Sequence, residues 1–185
     1  MQHSVSLSQF TSDDFDKGAS LVKITIWYFV NAMLVRASWN PFMRIKILLL
    51  RLFGAKIGKG VVIKNNVIVK YPWKLVIGND CWIGENVWID NIDKVTIGSD
   101  VCISQGAMLL TGNHDYKKRS FDYRNAPINI EEGVWIGAKS VVCPGVTARS
   151  NAILTVGSIA TKSMDACGIY QGNPAQKIRE RIMAD

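Results

Sequence analysis

The chain has 185 residues, of which 48% are hydrophobic and 20% charged, so it can bury a core of domain size and is neither disordered nor collagen-like. Its formal net charge of +7 is unevenly distributed: residues 1–75 contain eleven basic and three acidic side chains, whereas residues 76–185 contain eleven and twelve. This asymmetry predicts an anionic ligand or surface near the first part of the chain. Aromatic and basic residues do not interleave as they do in RNA-binding modules, so we expect no nucleic-acid partner.

Residues 1–54 are predicted to form an N-terminal tail and an apolar, basic helical segment. Its two apolar stretches, 21–37 and 42–53, are separated by Asn40-Pro41, and the most apolar run has only twelve residues, whereas a bilayer span needs about 20. Because residues 1–20 carry no secretory signal pattern, we expect a cytoplasmic protein. Two interpretations stay open: the helices pack on the protein, or they lie on the inner face of an anionic membrane.

The centre of the chain is organised by apolar residues that recur every six positions. They occur in three triplets and then in a run of five: Ile57, Ile63 and Val69; Ile77, Ile83 and Ile89; Ile97, Ile103 and Leu109; Ile136, Val142, Ala148, Leu154 and Ala160. A period of six does not fit an amphipathic helix and indicates a prism of short strands, with Gly, Asn or Asp at the corners and three strands per coil. We therefore predict a mainly β, parallel β-helix over residues 55–175, followed by a C-terminal helix at 176–185.

The repeat is interrupted once, by a predicted loop at about 112–127. Solenoids often place function on such insertions. This loop contains His114, one of only two histidines; the other, His3, lies in the polar tail. A histidine at the junction of a strand and a loop is a candidate acid or base.

The hexads IGKGVV, IGENVW and IGSDVC, together with RLFGAKIGK, YPWKLVIG, TGNHDY and GNPAQKIR, resemble the hexapeptide-repeat acetyltransferases, and within them the colanic acid biosynthesis acetyltransferases and related sugar O-acetyltransferases. The resemblance implies a left-handed β-helix and a homotrimer. It also implies acetyl-CoA-dependent O-acetylation of a sugar hydroxyl on an exopolysaccharide or cell-surface glycan precursor. Two alternatives remain: N-acetylation of an amino sugar, and a non-catalytic β-helix scaffold.

No metal is expected. The metal-dependent carbonic anhydrases that share this fold need three histidine ligands, and the chain has two histidines. The four cysteines, Cys81, Cys102, Cys143 and Cys167, lie 21, 41 and 24 residues apart, which fits neither a disulfide framework nor a zinc site. We interpret them as small buried hydrophobic residues.

For the reaction that the resemblance implies, His114 is the predicted general base, because a sugar hydroxyl must lose its proton to attack a thioester. Asp115 and Tyr116 are predicted to contact substrate. Asp115 is a poor candidate for orienting His114, because adjacent side chains of an extended backbone point to opposite faces; a carbonyl or a facing carboxylate fits better. Asn86 matches an active-site asparagine of the family, although a corner asparagine is an equally simple interpretation.

The predicted CoA site lies mainly in the last coils, where the family uses corner amides and basic residues to contact the phosphates of CoA. Trp135 matches an aromatic residue beside the acyl-donor channel, or else packs under the loop. The other candidates are Gly157, Ser158, Thr161, Lys162, Asn173, Pro174 and Arg179. The same residues would also be consistent with a final coil that is simply closed by a turn and a capping helix.

Overall fold

The computed structural model describes residues 4–11, 15–37 and 42–183. Its strands form the three faces of a parallel β-helix. The first sheet contains β1 (Lys56–Ile57), β4 (Leu75–Ile77), β7 (Val95–Ile97), β10 (Ile128–Ile130) and β13 (Thr147–Ala148). The second sheet contains β2 (Val62–Ile63), β5 (Trp82–Ile83), β8 (Cys102–Ile103), β11 (Trp135–Ile136), β14 (Ile153–Leu154), β16 (Gly168–Gly172) and β17 (Ala175–Glu180). The third sheet contains β3 (Ile68–Val69), β6 (Trp88–Asp90), β9 (Met108–Leu110), β12 (Val141–Val142) and β15 (Ile159–Ala160).

The residues of the six-residue repeat form the core of this prism. Ile57 pairs in register with Ile77, and Ile77 with Ile97, so equivalent residues of successive coils stack directly. All of the predicted repeat positions except Ile57 are buried. The expectation of three strands per coil is confirmed, and Ile130 in β10 begins the coil that follows the loop.

Close stacking of the coils explains the glycine after the inward-facing residue. At Gly137 a Cβ atom would lie 2.6 Å from the backbone nitrogen of Val156 in the next coil. Corners are formed by residues in the left-handed region, among them Asn66 and Asn86, with φ of 57° and 59°.

The N-terminal helices close the first coil. α1 (Leu21–Val30) continues as a π-helix over Asn31–Val35, and α2 is Met43–Leu52. Trp27 of α1 and Leu50 of α2 join the buried core, and the Trp27 indole N–H donates to the carbonyl of Val69 at 3.0 Å. Among the described residues, no helix is long and apolar enough to cross a membrane. The predicted Asn40-Pro41 break lies outside them.

The prediction of a C-terminal helix at 176–185 is wrong. Residues 175–180 form β17, which pairs antiparallel with β16, and residues 181–183 have no regular structure. Lys177 and Glu180 do form the ion pair expected for i and i+3 on a helix, at 2.7 Å. However, the last coil would otherwise leave the edge of β16 unpaired, and β17 satisfies its backbone groups.

The outer surfaces of the three sheets differ in polarity. Apolar columns run along the second sheet (Val62, Trp82, Cys102, Trp135, Ile153) and the third sheet (Ile68, Trp88, Met108, Val141, Ile159). The column on the first sheet is mostly polar (Lys56, Val76, Thr96, Asn129, Thr147). Trp82 and Trp88 belong to these columns, point outward and are exposed, Trp82 by 64%. Of the cysteines, all free, only Cys81 is buried as predicted; Cys102, Cys143 and Cys167 are half-buried.

Candidate active site

The inserted loop leaves the prism after β9 and returns at β10, so it stands on the edge between the third and first sheets. It is internally ordered by backbone hydrogen bonds. His114 and Tyr123 form an antiparallel bridge, and the amide of Asp115 donates to the carbonyl of Asp122 at 2.8 Å. Lys118 pairs with the Asp122 carboxylate at 3.1 Å, and hydrogen bonds from Ser120 and Lys118 hold the pKa of Asp122 below its usual value.

The imidazole of His114 is fixed by the loop itself. Its Nδ1 lies 2.7 Å from the carbonyl oxygen of Phe121. The ring stacks on Phe121, with centroids 4.4 Å apart, and on Tyr123, with centroids 5.0 Å apart. Phe121 has a φ of 55°, which is uncommon for a bulky residue. A strained residue therefore supplies the carbonyl that holds the ring.

This hydrogen bond determines which nitrogen can accept a proton. A carbonyl oxygen can only accept, so Nδ1 carries the hydrogen and the lone pair of the neutral ring lies on Nε2. Of the two predicted kinds of orienting group, the structure has the carbonyl. The carboxylate of Asp115 instead accepts from the backbone N–H of Lys117 at 3.1 Å, and Tyr116 is 70% exposed.

The N-terminal segment also reaches this site, which the sequence did not indicate. Phe10 lies edge-on to His114, at 5.9 Å between centroids, and to Tyr123 at 5.2 Å. Phe15 contacts Tyr123 at 5.0 Å, and the amide of Ser6 donates to the carbonyl of Arg119. These residues lie about a hundred positions from the loop in sequence, and no local pattern links them to it. His3 lies outside the described residues.

Asn86 and His114 are on different edges of the prism. Asn86 turns the corner between the second and third sheets, where its Oδ1 accepts from Asn66 at 2.6 Å. Its left-handed backbone and this side-chain ladder are what a corner asparagine needs. Within a single chain, Asn86 does not join His114.

The predicted CoA residues are divided among several parts of the last coils. Thr161 and Lys162 follow β15, so they lie on the same edge as His114, two coils further along. Trp135 projects from the second sheet, 47% exposed, and its indole N–H donates to Ser104 at 2.9 Å. Arg179 is in β17 on that sheet.

Gly157 and Ser158 lie on the edge between the second and third sheets, beside the β16–β17 hairpin that contains Asn173 and Pro174. Ser158 is buried, and its hydroxyl bonds to Thr155 at 2.9 Å and accepts from the amide of Gly172 at 3.0 Å. Its side chain supports the hairpin, so this geometry gives no support to the predicted contact with CoA. Gly157, in contrast, is exposed, with open space where a Cβ atom would lie.

Comparison with known proteins places this architecture in a family. The "Putative colanic acid biosynthesis acetyltransferase WcaF" of Escherichia coli (strain K12) is 39% identical over 178 residues, covering 95% of this chain and 97% of that protein. The chain belongs to the hexapeptide-repeat acetyltransferases. A family model described as the hexapeptide repeat of succinyl-transferase matches residues 127–162. The galactoside O-acetyltransferase of the same E. coli strain is 33% identical over 130 residues, 68% of this chain and 64% of that protein.

Solved structures of hexapeptide-repeat acetyltransferases have the same fold. The acetyltransferase VCA0836 from Vibrio cholerae O1 biovar eltor, complexed with acetyl-CoA, has a TM-score of 0.80 at 21% identity, covering 95% of this chain and 97% of that one. A galactoside acetyltransferase in complex with CoA has a TM-score of 0.76 at 24% identity, covering 86% and 80%. These structures confirm the expectation of a left-handed β-helix. The 39% identity to the colanic acid biosynthesis acetyltransferase confirms the expectation of an acyltransferase.

Proposed function

We propose that the protein is an acetyl-CoA-dependent O-acetyltransferase that acts on a sugar hydroxyl of an exopolysaccharide or cell-surface glycan precursor. The observation that carries this proposal is the hydrogen bond from His114 Nδ1 to the carbonyl of Phe121. It directs the basic Nε2 away from the loop backbone, as a general base requires. The relatives support the reaction class, because two of them are named for colanic acid biosynthesis and for galactoside O-acetylation. Two of the similar solved structures are complexes with acetyl-CoA and with CoA, which supports acetyl-CoA as the donor.

In the proposed reaction, the sugar oxygen attacks the thioester carbonyl carbon while its proton passes to Nε2 of His114. The carbon–sulfur bond then breaks as the tetrahedral intermediate collapses. The imidazolium returns the proton to the departing thiolate, giving the acetyl ester and CoA. The carbonyl of Phe121 keeps the ring oriented throughout, and it also stabilises the imidazolium through the Nδ1 hydrogen bond.

The proposed active assembly is a homotrimer. In a triangular prism, the edge that carries His114 lies opposite the second sheet, which carries Trp135, so one chain cannot bring these two residues together. Packing the apolar third sheet of one subunit against the apolar second sheet of the next would bring Trp135 of one chain to the loop of another. Three such heterologous contacts close a ring. They would also cover Trp82 and Trp88.

We further propose that the protein is cytoplasmic and binds the inner face of an anionic membrane through α1, the π-helix and α2. Many apolar side chains of this segment are exposed: Leu21, Val22, Ile26, Tyr28, Phe29, Met33, Phe42, Ile45, Leu48 and Leu52. The cations Arg36 and Arg44 are exposed beside them, and no acidic residue occurs between Asp16 and Asp80. Such a surface suits a bilayer with anionic lipids, which attract each basic residue by about 1 kcal/mol.

The function is tested by incubating the protein with acetyl-CoA and a panel of glycosides and amino sugars, and following release of the CoA thiol. Thiol release with a neutral glycoside supports O-acetylation. Release with amino sugars alone would favour the alternative N-acetyltransferase. A scaffold would give no release and no thermal stabilisation by acetyl-CoA, whereas a ligand at 100 times its Kd adds about 2.7 kcal/mol of stability.

A further inference from the structure

A cavity of about 560 Å³ lies on the first sheet, between the N-terminal segment and the returning end of the inserted loop. This volume falls within the usual range for small-molecule sites. The residues that line it include Gly54, just after α2, and Asn125 of the inserted loop. The cavity therefore lies between the helical cap and the loop that holds His114.

The lining of the cavity is rich in cations. Lys56, Lys74 and Lys94 line it together with two acids, Asp16 and Asp93. Each carboxylate already accepts a backbone N–H: Asp16 from Gly18 at 2.7 Å, and Asp93 from Lys94 at 2.6 Å. A fourth cation, Lys23, lies 4.9 Å above the indole of Trp73, which forms part of the wall.

One of these cations is held in place before any ligand binds. The ammonium of Lys74 donates to the carbonyls of Asp16 at 2.6 Å and Ile92 at 2.7 Å. These bonds use two of its three N–H donors and leave one for a ligand. Burial lowers the pKa of Lys74. A bound anion would offset this cost by stabilising the charged form.

The cavity and the proposed general base share structural elements. Asn125 accepts a hydrogen bond from the amide of Asn113, the residue before His114, at 3.4 Å. Phe15 lines the cavity and also contacts Tyr123, which stacks on His114. Phe15 and Asn125 therefore connect the wall of the cavity to the loop that positions the imidazole.

We propose that this cavity binds the phosphate of a glycosyl phosphate acceptor, with Lys56, Lys74 and Lys94 contacting the phosphate and the sugar directed toward His114. This inference rests on the proposed function and names its substrate class. A phosphate dianion matches a partly enclosed site in which one ammonium, that of Lys74, is already held in place and two exposed lysines, Lys56 and Lys94, can turn toward the ligand. A glycosyl phosphate can come from a nucleotide sugar or from a lipid-phosphate-linked sugar, and the cavity recognises the chemistry that the two share.

The first test measures binding, so it does not depend on turnover. The Kd of a panel of hexose 1-phosphates and of the corresponding methyl glycosides is measured by calorimetry for the wild type, the double variant Lys56→Gln/Lys94→Gln and the control Lys64→Gln. Lys64 is an exposed lysine outside this cavity. We expect the hexose phosphates to bind at least tenfold tighter than the glycosides, and the double variant alone to lose this preference. Equal affinity for both ligand classes, an unaffected double variant, or no binding of any hexose phosphate would overturn the proposal.

The second test distinguishes the two sources of the phosphate, and it distinguishes failure of the phosphate site from failure of the proposed acetyltransferase function. Thiol release is compared for a nucleoside diphosphate hexose, a prenyl-phosphate-linked hexose in detergent, and a methyl glycoside. We expect a higher kcat/KM for one of the two phosphate-bearing acceptors than for the methyl glycoside, and a value at least tenfold lower in the double variant. This result supports the proposed phosphate site and identifies which kind of acceptor supplies the phosphate. If lysine-dependent phosphate binding is found but no acceptor is acetylated, the proposed function fails and the anion site stands. If the neutral glycoside is acetylated as efficiently as the others, the function stands and the inference fails.

Discussion

Replacing His114 by Asn separates its proposed chemical role from its structural one. An asparagine amide can still donate to the carbonyl of Phe121 from nearly the position of Nδ1, but it has no basic nitrogen at the position of Nε2. His114→Ala removes both groups, and neither variant keeps the ring contacts with Phe121 and Tyr123. The hydrogen bond to Phe121, which only His114→Ala loses, contributes about 0.5–1.5 kcal/mol. The Ala variant should therefore have the less ordered loop.

Both variants should nevertheless lose kcat to the same degree. A positioned general base contributes about two to four orders of magnitude, which corresponds to about 3–5 kcal/mol of activation free energy. The affinity for acetyl-CoA should be nearly unchanged in both, because the proton transfer occurs only in the transition state. The assay is thiol release at saturating acetyl-CoA, with the exposed loop variant Lys117→Ala as control. If His114→Asn keeps more than about a tenth of wild-type kcat while His114→Ala is inactive, the histidine only organises the loop, and the assignment as base is refuted.

Four further outcomes are expected. Lys162→Ala and Arg179→Ala should each raise the KM for acetyl-CoA with little change in kcat, because a phosphate contact is made equally in the ground and transition states; a loss confined to kcat would contradict this. Light scattering should give three times 20.6 kDa, and a stable monomer at micromolar concentration would exclude the homotrimer. Gly137→Ala should lower Tm, because the new Cβ atom would lie 2.6 Å from a backbone atom of the next coil. The expected loss of about 1–3 kcal/mol in unfolding free energy corresponds to a fall in Tm of roughly 2–12 °C. Flotation should show that the protein binds vesicles that contain anionic lipid. The double variant Arg36→Gln/Arg44→Gln should bind them about 30-fold more weakly, at about 1 kcal/mol per charge, whereas a substitution of the distant, 90% exposed Ile182 by Ser should leave binding unchanged. Equal binding to neutral vesicles would contradict the proposed membrane-binding surface.

The β-helix could be predicted from the sequence because its contacts are local and repeated. Each inward residue meets its equivalents in the neighbouring coils, so one spacing rule, seen at Ile63, Ile83 and Ile103, determines the register of the whole solenoid. The C-terminal segment could not be predicted in this way. Its charge spacing suits a helix, but the free edge of β16 favours a strand, and an unpaired edge is a property of the assembled solenoid.

The candidate site was predictable only in part, for a similar reason. His114 was identified because it lies where the repeat breaks. Its partners depend on features that residue identity does not reveal: the left-handed backbone of Phe121, and the return of Phe10 and Phe15 from the far N-terminus. Phenylalanine is a poor predictor of a positive φ, because most residues in that conformation are Gly, Asn or Asp.

The three sheets of the β-helix differ in their outer surfaces, and each kind of surface suits a different kind of contact. The second and third sheets carry apolar columns, which suit contact with other subunits, whereas the mostly polar first sheet carries the cation-lined cavity. If the apolar faces pack together in a trimer, the polar face stays outside and its cavity remains open to an acceptor. The loop with His114 stands on the edge where an apolar face meets the polar one, so in such a trimer the imidazole would lie between a subunit contact and an open surface. In this geometry, the donor and the acceptor can approach the same imidazole from different faces of the prism.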